Sequence, residues 1–277
     1  MTTESRLRAD DLTLAYDHRV VAEDLGVRIA DGSFTVIVGP NACGKSTLLK
    51  ALARVLKPKA GAVYLDGQAI ASYPSKYVAK QLGMLPQSPI VPGGIVVEEL
   101  VARGRFAHQR LLRQWSPEDE KAVTEAMRLT EVSDLADRFV DELSGGQRQR
   151  VWLAMALAQQ TGILLLDEPT TFLDLAHQFE VLDLCAELHD EGRTVVAVLH
   201  DLNHACRYAT ELIVLLAGKV IAQGPPAEVM TADLVEKVFD IPCRVISDPE
   251  TGTPMVVPAA RHRRRSRTLT DAGTLTP

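Results

Sequence analysis

The segment Gly39-Pro40-Asn41-Ala42-Cys43-Gly44-Lys45-Ser46-Thr47 has the composition and spacing of a loop that holds phosphate. Glycines at positions 39 and 44 let the backbone curl until its N–H groups point inward at phosphate oxygens. The loop follows an apolar strand, Phe34–Val38, and precedes Lys45–Val55, whose apolar residues recur at helical spacing. A helix start at that point adds the positive end of its dipole. In this setting Lys45 reaches the β- and γ-phosphates, Ser46 offers its hydroxyl to Mg²⁺, and Thr47 bonds the α-phosphate.

A second chemical feature is Ile163-Leu164-Leu165-Leu166-Asp167-Glu168, an apolar strand ending in two carboxylates. Ligands of open α/β sheets collect at the carboxyl ends of the strands. Asp167 is placed to hold the magnesium through water. Glu168 is placed to polarise an attacking water as general base. An acidic pair after a strand is commonplace alone; beside a phosphate loop it acquires a purpose.

Leu143-Ser144-Gly145-Gly146-Gln147 precedes a helical run, Arg148–Leu157. Ser144 is a natural N-cap, and the glycines expose backbone N–H groups at the helix start. That builds a second anion site in a chain with one phosphate loop. The economical explanation is that it completes the nucleotide pocket of a second copy.

These residues need a framework. Short apolar strands are expected at Leu12–Ala15, Phe34–Val38, Ala62–Leu65, Leu82–Leu85, Ile163–Leu166, Thr194–Leu199 and Leu212–Leu216. Three of them (34–38, 163–166 and 194–199) are apolar without alternation, as parallel strands buried on both faces are. Helices at Lys45–Val55 and Leu175–Leu188 separate them, which indicates a parallel α/β sheet. The stretch from about 90 to 160 differs, with Pro92, Gly93 and Gly94 followed by helical patterns at Val96–Arg103 and Pro117–Leu129. The expected organisation is a core in two parts, 1–88 and 161–258, around a mostly helical insertion, 89–160, with a basic tail at 259–277.

The bulk numbers agree with a globular chain of ordinary make-up: 277 residues, 46% hydrophobic and 24% charged. Only 5% is aromatic, so aliphatic side chains must fill the core. The net charge of −6 is uneven. Residues 261–277 hold five Arg and one Asp, leaving 25 Lys+Arg against 35 Asp+Glu, a balance of −10, in residues 1–260. So acidic a body argues against nonspecific nucleic-acid binding. The run Arg261, His262, Arg263, Arg264, Arg265, Ser266, Arg267 has two readings: a solvated disordered tail, or a contact with anionic lipid headgroups. Four separated cysteines without a CxxC pair fit a reducing cytosol. No apolar run approaches the roughly 20 residues that a bilayer helix needs, so a membrane role requires another subunit.

The phosphate loop, Leu143–Gln147, Leu164–Pro169 and the later His200 stand in the order found in ABC-type ATPases, which the chain resembles from about residue 6 to 258. The resemblance implies a P-loop NTPase fold of the α/β class: a RecA-like parallel sheet core with an antiparallel β subdomain and an inserted α-helical signature subdomain. It implies ATP and Mg²⁺ as ligands, and two copies sandwiching two ATP molecules head to tail. It also implies roles for further residues. Gln87 resembles the glutamine that senses magnesium and the attacking water. His200 resembles the switch histidine that contacts the γ-phosphate. Tyr16 stands where an aromatic stacks on adenine, and Asp174 belongs to a loop crossing the dimer seam. Two departures stand out. Thr171 and Phe172 replace a commoner small pair beside Asp174. Ala42 replaces a frequent glycine; alanine does not adopt positive φ cheaply, yet Gly39 and Gly44 remain and binding is expected to survive.

A zinc reading of His200 and His204 fails on type: Asp201 occupies the Glu position of HExxH, and His200 ends a strand. Residues 100–109, 199–208 and 252–258 resemble the ATPases of bacterial ferric-siderophore importers, of the ferric-enterobactin type; related importers carry haem or vitamin B12. The expected partners are a second copy, integral membrane permease subunits and, indirectly, a substrate-binding protein, with no nucleic acid. The expected location is the cytoplasmic face of the cell membrane, peripherally bound. Competing readings are a soluble ABC protein of DNA repair or translation and a non-hydrolysing regulatory module. The single cassette without a long heptad run argues against the first, and Glu168 against the second.

Overall fold

The computed structural model describes residues 5–87, 89, 93–109 and 115–260. The Arg-rich run at 261–267 lies outside them. The chain begins with β1 (Leu7–Tyr16), β2 (Arg19–Ile29) and β3 (Phe34–Val38), then passes through the glycine loop into α1 (Lys45–Leu52). It continues with β4 (Ala60–Leu65), β5 (Gln68–Ala69), α2 (Ser75–Gln81) and β6 (Leu82–Leu85). Three helices follow, α3 (Val97–Ala102), α4 (Pro117–Leu129) and α5 (Gly145–Ala158). The chain then alternates through β7 (Ile163–Asp167), α6 (Leu175–Asp190), β8 (Thr194–Val198), α7 (Leu202–Tyr208) and β9 (Glu211–Leu216). It finishes with β10 (Lys219–Gly224), α8 (Pro226–Val229), α9 (Ala232–Phe239), β11 (Cys243–Ser247) and β12 (Pro254–Pro258).

Six strands form the central sheet in the order β10-β9-β3-β8-β7-β6, all parallel except β10. Every residue of β3, β7 and β8 is buried, which explains their unbroken apolar sequences. Successive side chains face opposite cores. Ile37 joins Leu48, Leu49 and Leu52 of α1 and the inner face of a second sheet, β2-β1-β4-β5, which is antiparallel. Val36 and Val38 join the other core, with α6, α7, α9 and the helices α3 to α5.

Those three helices are tied by one buried cation. Arg105, 4% exposed, donates from Nε to Asp119 Oδ1 at 2.8 Å and from Nη1 to the Ala158 carbonyl at 2.7 Å. Asp119 also closes a capping box with Ser116 at the start of α4. Beside Arg105, Gly104 lies so close to α5 that a Cβ there would fall 2.3 Å from the Met155 carbonyl oxygen.

The sequence reading did not expect β5, β10, β11, β12, α2, α7, α8 or α9, and near the site the observed elements differ from it further. Strand β1 spans ten residues rather than Leu12–Ala15, and β2 was not expected. Both carry register shifts, with Asp11 and Asp24 at φ 51, so neither keeps a clean period of two. Helix α1 stops at Leu52, short of Val55. Arg54 turns left-handed at φ 59, and the Val55 and Leu56 N–H groups both return to the Lys50 carbonyl, which closes the helix end. Val55 itself is exposed.

Candidate functional site

The loop between β3 and α1 is shaped by its two glycines. A Cβ on Gly39 would lie 2.2 Å from the Leu215 carbonyl oxygen and 2.8 Å from Cys43 Sγ, so no other residue fits. Gly44 adopts φ 107 and starts α1, whose first turn has no side-chain cap. The N–H groups of that turn have no partner inside the helix and face the loop. Lys45 is 5% exposed, and its Nζ donates to the carbonyls of Gly39 at 2.8 Å and Pro40 at 2.9 Å. An ammonium has three protons, so one remains for a ligand. Ala42 sits at φ 61, in the left-handed region. The sequence departure at this position therefore carries local strain, of about 1 kcal/mol.

The carboxylates converge on the same loop from β7. Ser46 Oγ donates to Asp167 Oδ1 at 2.7 Å. Asp167 is fully buried, and its Oδ2 has no hydrogen-bond partner. Burial, the largest influence, raises its carboxyl above the ordinary carboxylate range; the Ser46 hydrogen bond opposes this and the Glu168 charge reinforces it. Glu168 takes φ 55 and lies 9% exposed. Burial pushes this carboxyl up as well, but hydrogen bonding and charge from His200, with help from Gln87 and Thr171, leave it below its ordinary value. His200 Nε2 lies 2.7 Å from Glu168 Oε1, and Thr171 Oγ1 donates to Oε2 at 3.1 Å. Two adjacent carboxylates are thus driven apart in acidity, a pattern associated with divided roles.

A cleft of about 670 Å³ joins these groups. Tyr16 stands at one end, Asn41, Ala42 and Gly44 to Thr47 form its floor, and Gln87, Glu168 and His200 line the other end. Asp167 lies beneath, reached through Ser46. Gly39, Pro40 and Cys43 of the same loop do not line the cleft. A wider open depression of about 1360 Å³ lies over the antiparallel sheet, but its Arg6 and Arg8 are paired with Asp66 and Asp10. His204, far from sharing a metal site with His200, packs edge-on against Phe179 at 4.9 Å between ring centroids.

Ser144, Gly145, Gly146, Gln147 and Asp174 do not line the cleft. Ser144 caps α5 in a capping box: its Oγ accepts from Gln147 N at 3.2 Å, and Gln147 Oε1 accepts from Ser144 N at 3.1 Å. No acidic residue occupies the first turn. Asp174 caps α6, accepting from His177 N at 3.0 Å and from His177 Nδ1 at 2.6 Å. Phe172 lies over Gly145, 74% exposed, at φ 67.

Three contributors escaped the sequence reading. Arg19 pairs with Tyr16 across the β1–β2 turn and lines the cleft with Val21. Gln149, buried within α5, donates from Nε2 to the Pro169 carbonyl at 3.1 Å and links the signature helix to the carboxylate strand. The sole sequence signal for Gln149 was a polar residue on the buried side of a helix. Arg19 was signalled only by following Tyr16 across a two-residue turn.

Known proteins resemble this chain in sequence and in fold. The defining pattern of the family described as ABC transporter matches residues 22–171. The chain is similar to the ferric enterobactin transport ATP-binding protein of Escherichia coli K12, with 56% identity over 94% of this chain and 97% of that one. It is 52% identical to a probable siderophore transport system ATP-binding protein of Bacillus subtilis, over 94% of each chain. Its fold is similar to the dimeric structure of a bacterial ABC transporter cassette, with a TM-score of 0.72 and 28% identity over 79% of this chain and 98% of that one. The same figures hold for a post-hydrolysis state of an ATP-binding cassette bound to ADP and Pi.

Proposed function

Since the chain belongs to the ABC transporter family of ATP-binding, ATP-hydrolysing proteins, we propose that it powers import of ferric-siderophore complexes through separate permease subunits. Two copies close head to tail over two ATP molecules. The loop 39–47 of one copy and the α5 start of the other then enclose each triphosphate. Among the described residues no helix is long and apolar enough to cross a membrane, so the transport path belongs to the partner. The chain docks on the cytoplasmic side of that partner, and a substrate-binding protein delivers the cargo.

The donor set suits Mg²⁺. Ser46 Oγ and the carboxylate of Asp167 are hard oxygen ligands, and the orphaned Oδ2 of Asp167 lacks the partner that a buried oxygen needs. Gln87 lies beside them. Bound there, Mg²⁺ would neutralise charge on the β- and γ-phosphate oxygens. Lys45 donates a hydrogen bond to those oxygens from its remaining N–H, and the first-turn N–H groups of α1 hold the rest of the phosphate chain. Tyr16 stacks on the base. Glu168, kept ionised, accepts a proton from the attacking water; its carboxylate has lone pairs beyond those that His200 and Thr171 use. His200 orients Glu168 and turns toward the γ-phosphate when it is present. Loss of the γ-phosphate removes the charge between the copies, and the dimer opens.

The observation that carries this reading is the pair of contacts Ser46–Asp167 and His200–Glu168 on either side of one phosphate cleft. The cargo rests on similarity: relatives named for ferric enterobactin and siderophore transport are 56% and 52% identical and one named for hemin import is 40% identical, although relatives named for petrobactin import span 36–48%. The test is ATP-driven uptake by the chain and its permease in lipid vesicles, offered ferric siderophores, haem and vitamin B12 in turn. Uptake of ferric siderophore alone supports the proposal. Transport of haem or vitamin B12 instead overturns the cargo, and uptake independent of ATP overturns the function.

A further inference from the structure

Two of the segments that carry the resemblance to ferric-siderophore ATPases, 199–208 and 252–258, meet in the fold. Asn203 follows His200 by three residues, in the first turn of α7. Its Oδ1 accepts from the Val256 N–H at 2.7 Å, and its Nδ2 donates to the Val256 carbonyl at 3.3 Å. Val256 pairs with Val245 across the β11–β12 hairpin. In an antiparallel pair, a residue whose N–H and C=O point outward leaves them as free edge groups. One amide side chain supplies both missing partners, with donor and acceptor in the right places. The Val256 side chain is buried, so the hairpin is seated and cannot slide along the amide.

The clamp matters because α7 is short. Seven residues cannot hold a helix or its direction without tertiary support. The far end is fixed by Tyr208, whose hydroxyl donates to Asp183 Oδ1 at 2.6 Å. The near end is closed by Asp201, whose Oδ1 accepts from Asn203 N at 2.7 Å and His204 N at 2.9 Å. Asp201 adjoins His200, so whatever fixes this turn fixes the backbone from which the imidazole projects. The Asn203–Val256 pair is the link that ties the turn to the hairpin.

We infer that Asn203 is a positioning residue for ATP hydrolysis: it clamps the C-terminal hairpin to the turn that aims His200 at Glu168. The hairpin, beyond the segment 22–171 that the family pattern matches, is then a strut of the catalytic site. The inference rests on the proposed role of His200.

The test uses the full-length chain with Asn203→Ala and Asn203→Asp, each alone and combined with His200→Ala. Turnover, KM for ATP, nucleotide affinity and thermal midpoint are measured. Asn203→Ala is expected to lower kcat by about tenfold or more, because a catalytic group held loosely is costly, while KM for ATP stays within about twofold. Asn203→Asp keeps an acceptor for the Val256 N–H and is expected to lose less; it carries the test if the alanine variant does not fold. On the residual turnover of His200→Ala, neither change is expected to add a further loss, since both act through one group. Unchanged kcat in Asn203→Ala overturns the inference, as does the same fractional loss with and without His200, or a raised KM at constant kcat. Full turnover in His200→Ala alone overturns both the reading of His200 and the clamp built on it; a silent Asn203 beside an inactive His200→Ala overturns the clamp alone.

Discussion

His200 Nε2 rests 2.7 Å from Glu168 Oε1, across the ends of two adjacent parallel strands. Strands β7 and β8 are in register with Asp167 opposite Val198, so the residues just beyond them emerge side by side above the sheet. The imidazole and the carboxylate each limit the other's freedom. The carboxylate stays ionised despite its burial, as a base for water must.

Glu168→Gln is expected to bind ATP with near-normal affinity and to lose turnover by about 10²–10⁴-fold, the range for removing a general base. The amide keeps the shape and the Thr171 contact but cannot take a proton. Steady-state phosphate release and nucleotide binding, measured on one preparation, check this; unchanged turnover would remove Glu168 from the role of base.

Lys45→Ala is expected to weaken ATP binding strongly. The Nζ contacts with Gly39 and Pro40 hold the loop closed as well as contributing charge. Glycine at position 42 should do the opposite. Ala42→Gly relieves the left-handed strain at φ 61, by up to about 1 kcal/mol, and should raise the thermal midpoint slightly. Gly39→Ala, meeting Leu215 at 2.2 Å, should abolish binding. Nucleotide titration and melting curves of the three variants separate charge from loop shape.

Chelation of Mg²⁺ is expected to leave ATP bound but unhydrolysed, and Asp167→Asn to reproduce that state at normal Mg²⁺. Titration of turnover with Mg²⁺ in both proteins is the measurement. A variant that recovers full turnover at ordinary Mg²⁺ levels would dissociate Asp167 from the metal.

Asp119→Ala should destabilise the fold by about 3 kcal/mol, within the range for breaking a buried ion pair, by leaving Arg105 short of its carboxylate. Burial alone would raise the Asp119 carboxyl, but Arg105 and Ser116 hold it below its ordinary value of 3.8. A depressed carboxylate contributes stability above its unfolded value and loses it as pH falls through the folded one. The stability gap between wild type and Asp119→Ala should therefore be full at neutral pH and shrink below about pH 4. Chemical denaturation at several pH values checks the sign.

How much of this was legible in the sequence depends on how local the signal is. The phosphate loop, Asp167–Glu168 and the Ser144 cap each declare themselves within nine residues, and their flanking strands are apolar because both faces are buried. The sequence reading put Ser46 and Asp167 on one Mg²⁺, but their direct hydrogen bond, set by sheet order, was not legible. Ser46 meets Asp167 because β8 lies between β3 and β7 and all three end at one level. Nothing near Asn203 in the sequence points to Val256. Strand β2 was missed because its bulges and charged, half-exposed residues break the alternation that marks a strand. The end of α1 was missed because Arg54, a good helix former, is turned left-handed by its surroundings.

The proposed nucleotide site is shared, with Lys45 from one copy and Ser144 from the other. The most direct test is the structure of Glu168→Gln with ATP and Mg²⁺. The expected result is a head-to-tail dimer with each triphosphate between loop 39–47 of one copy and residues 144–147 of its twin. A saturated monomer, with ATP on the loop and the α5 start open to solvent, would contradict it.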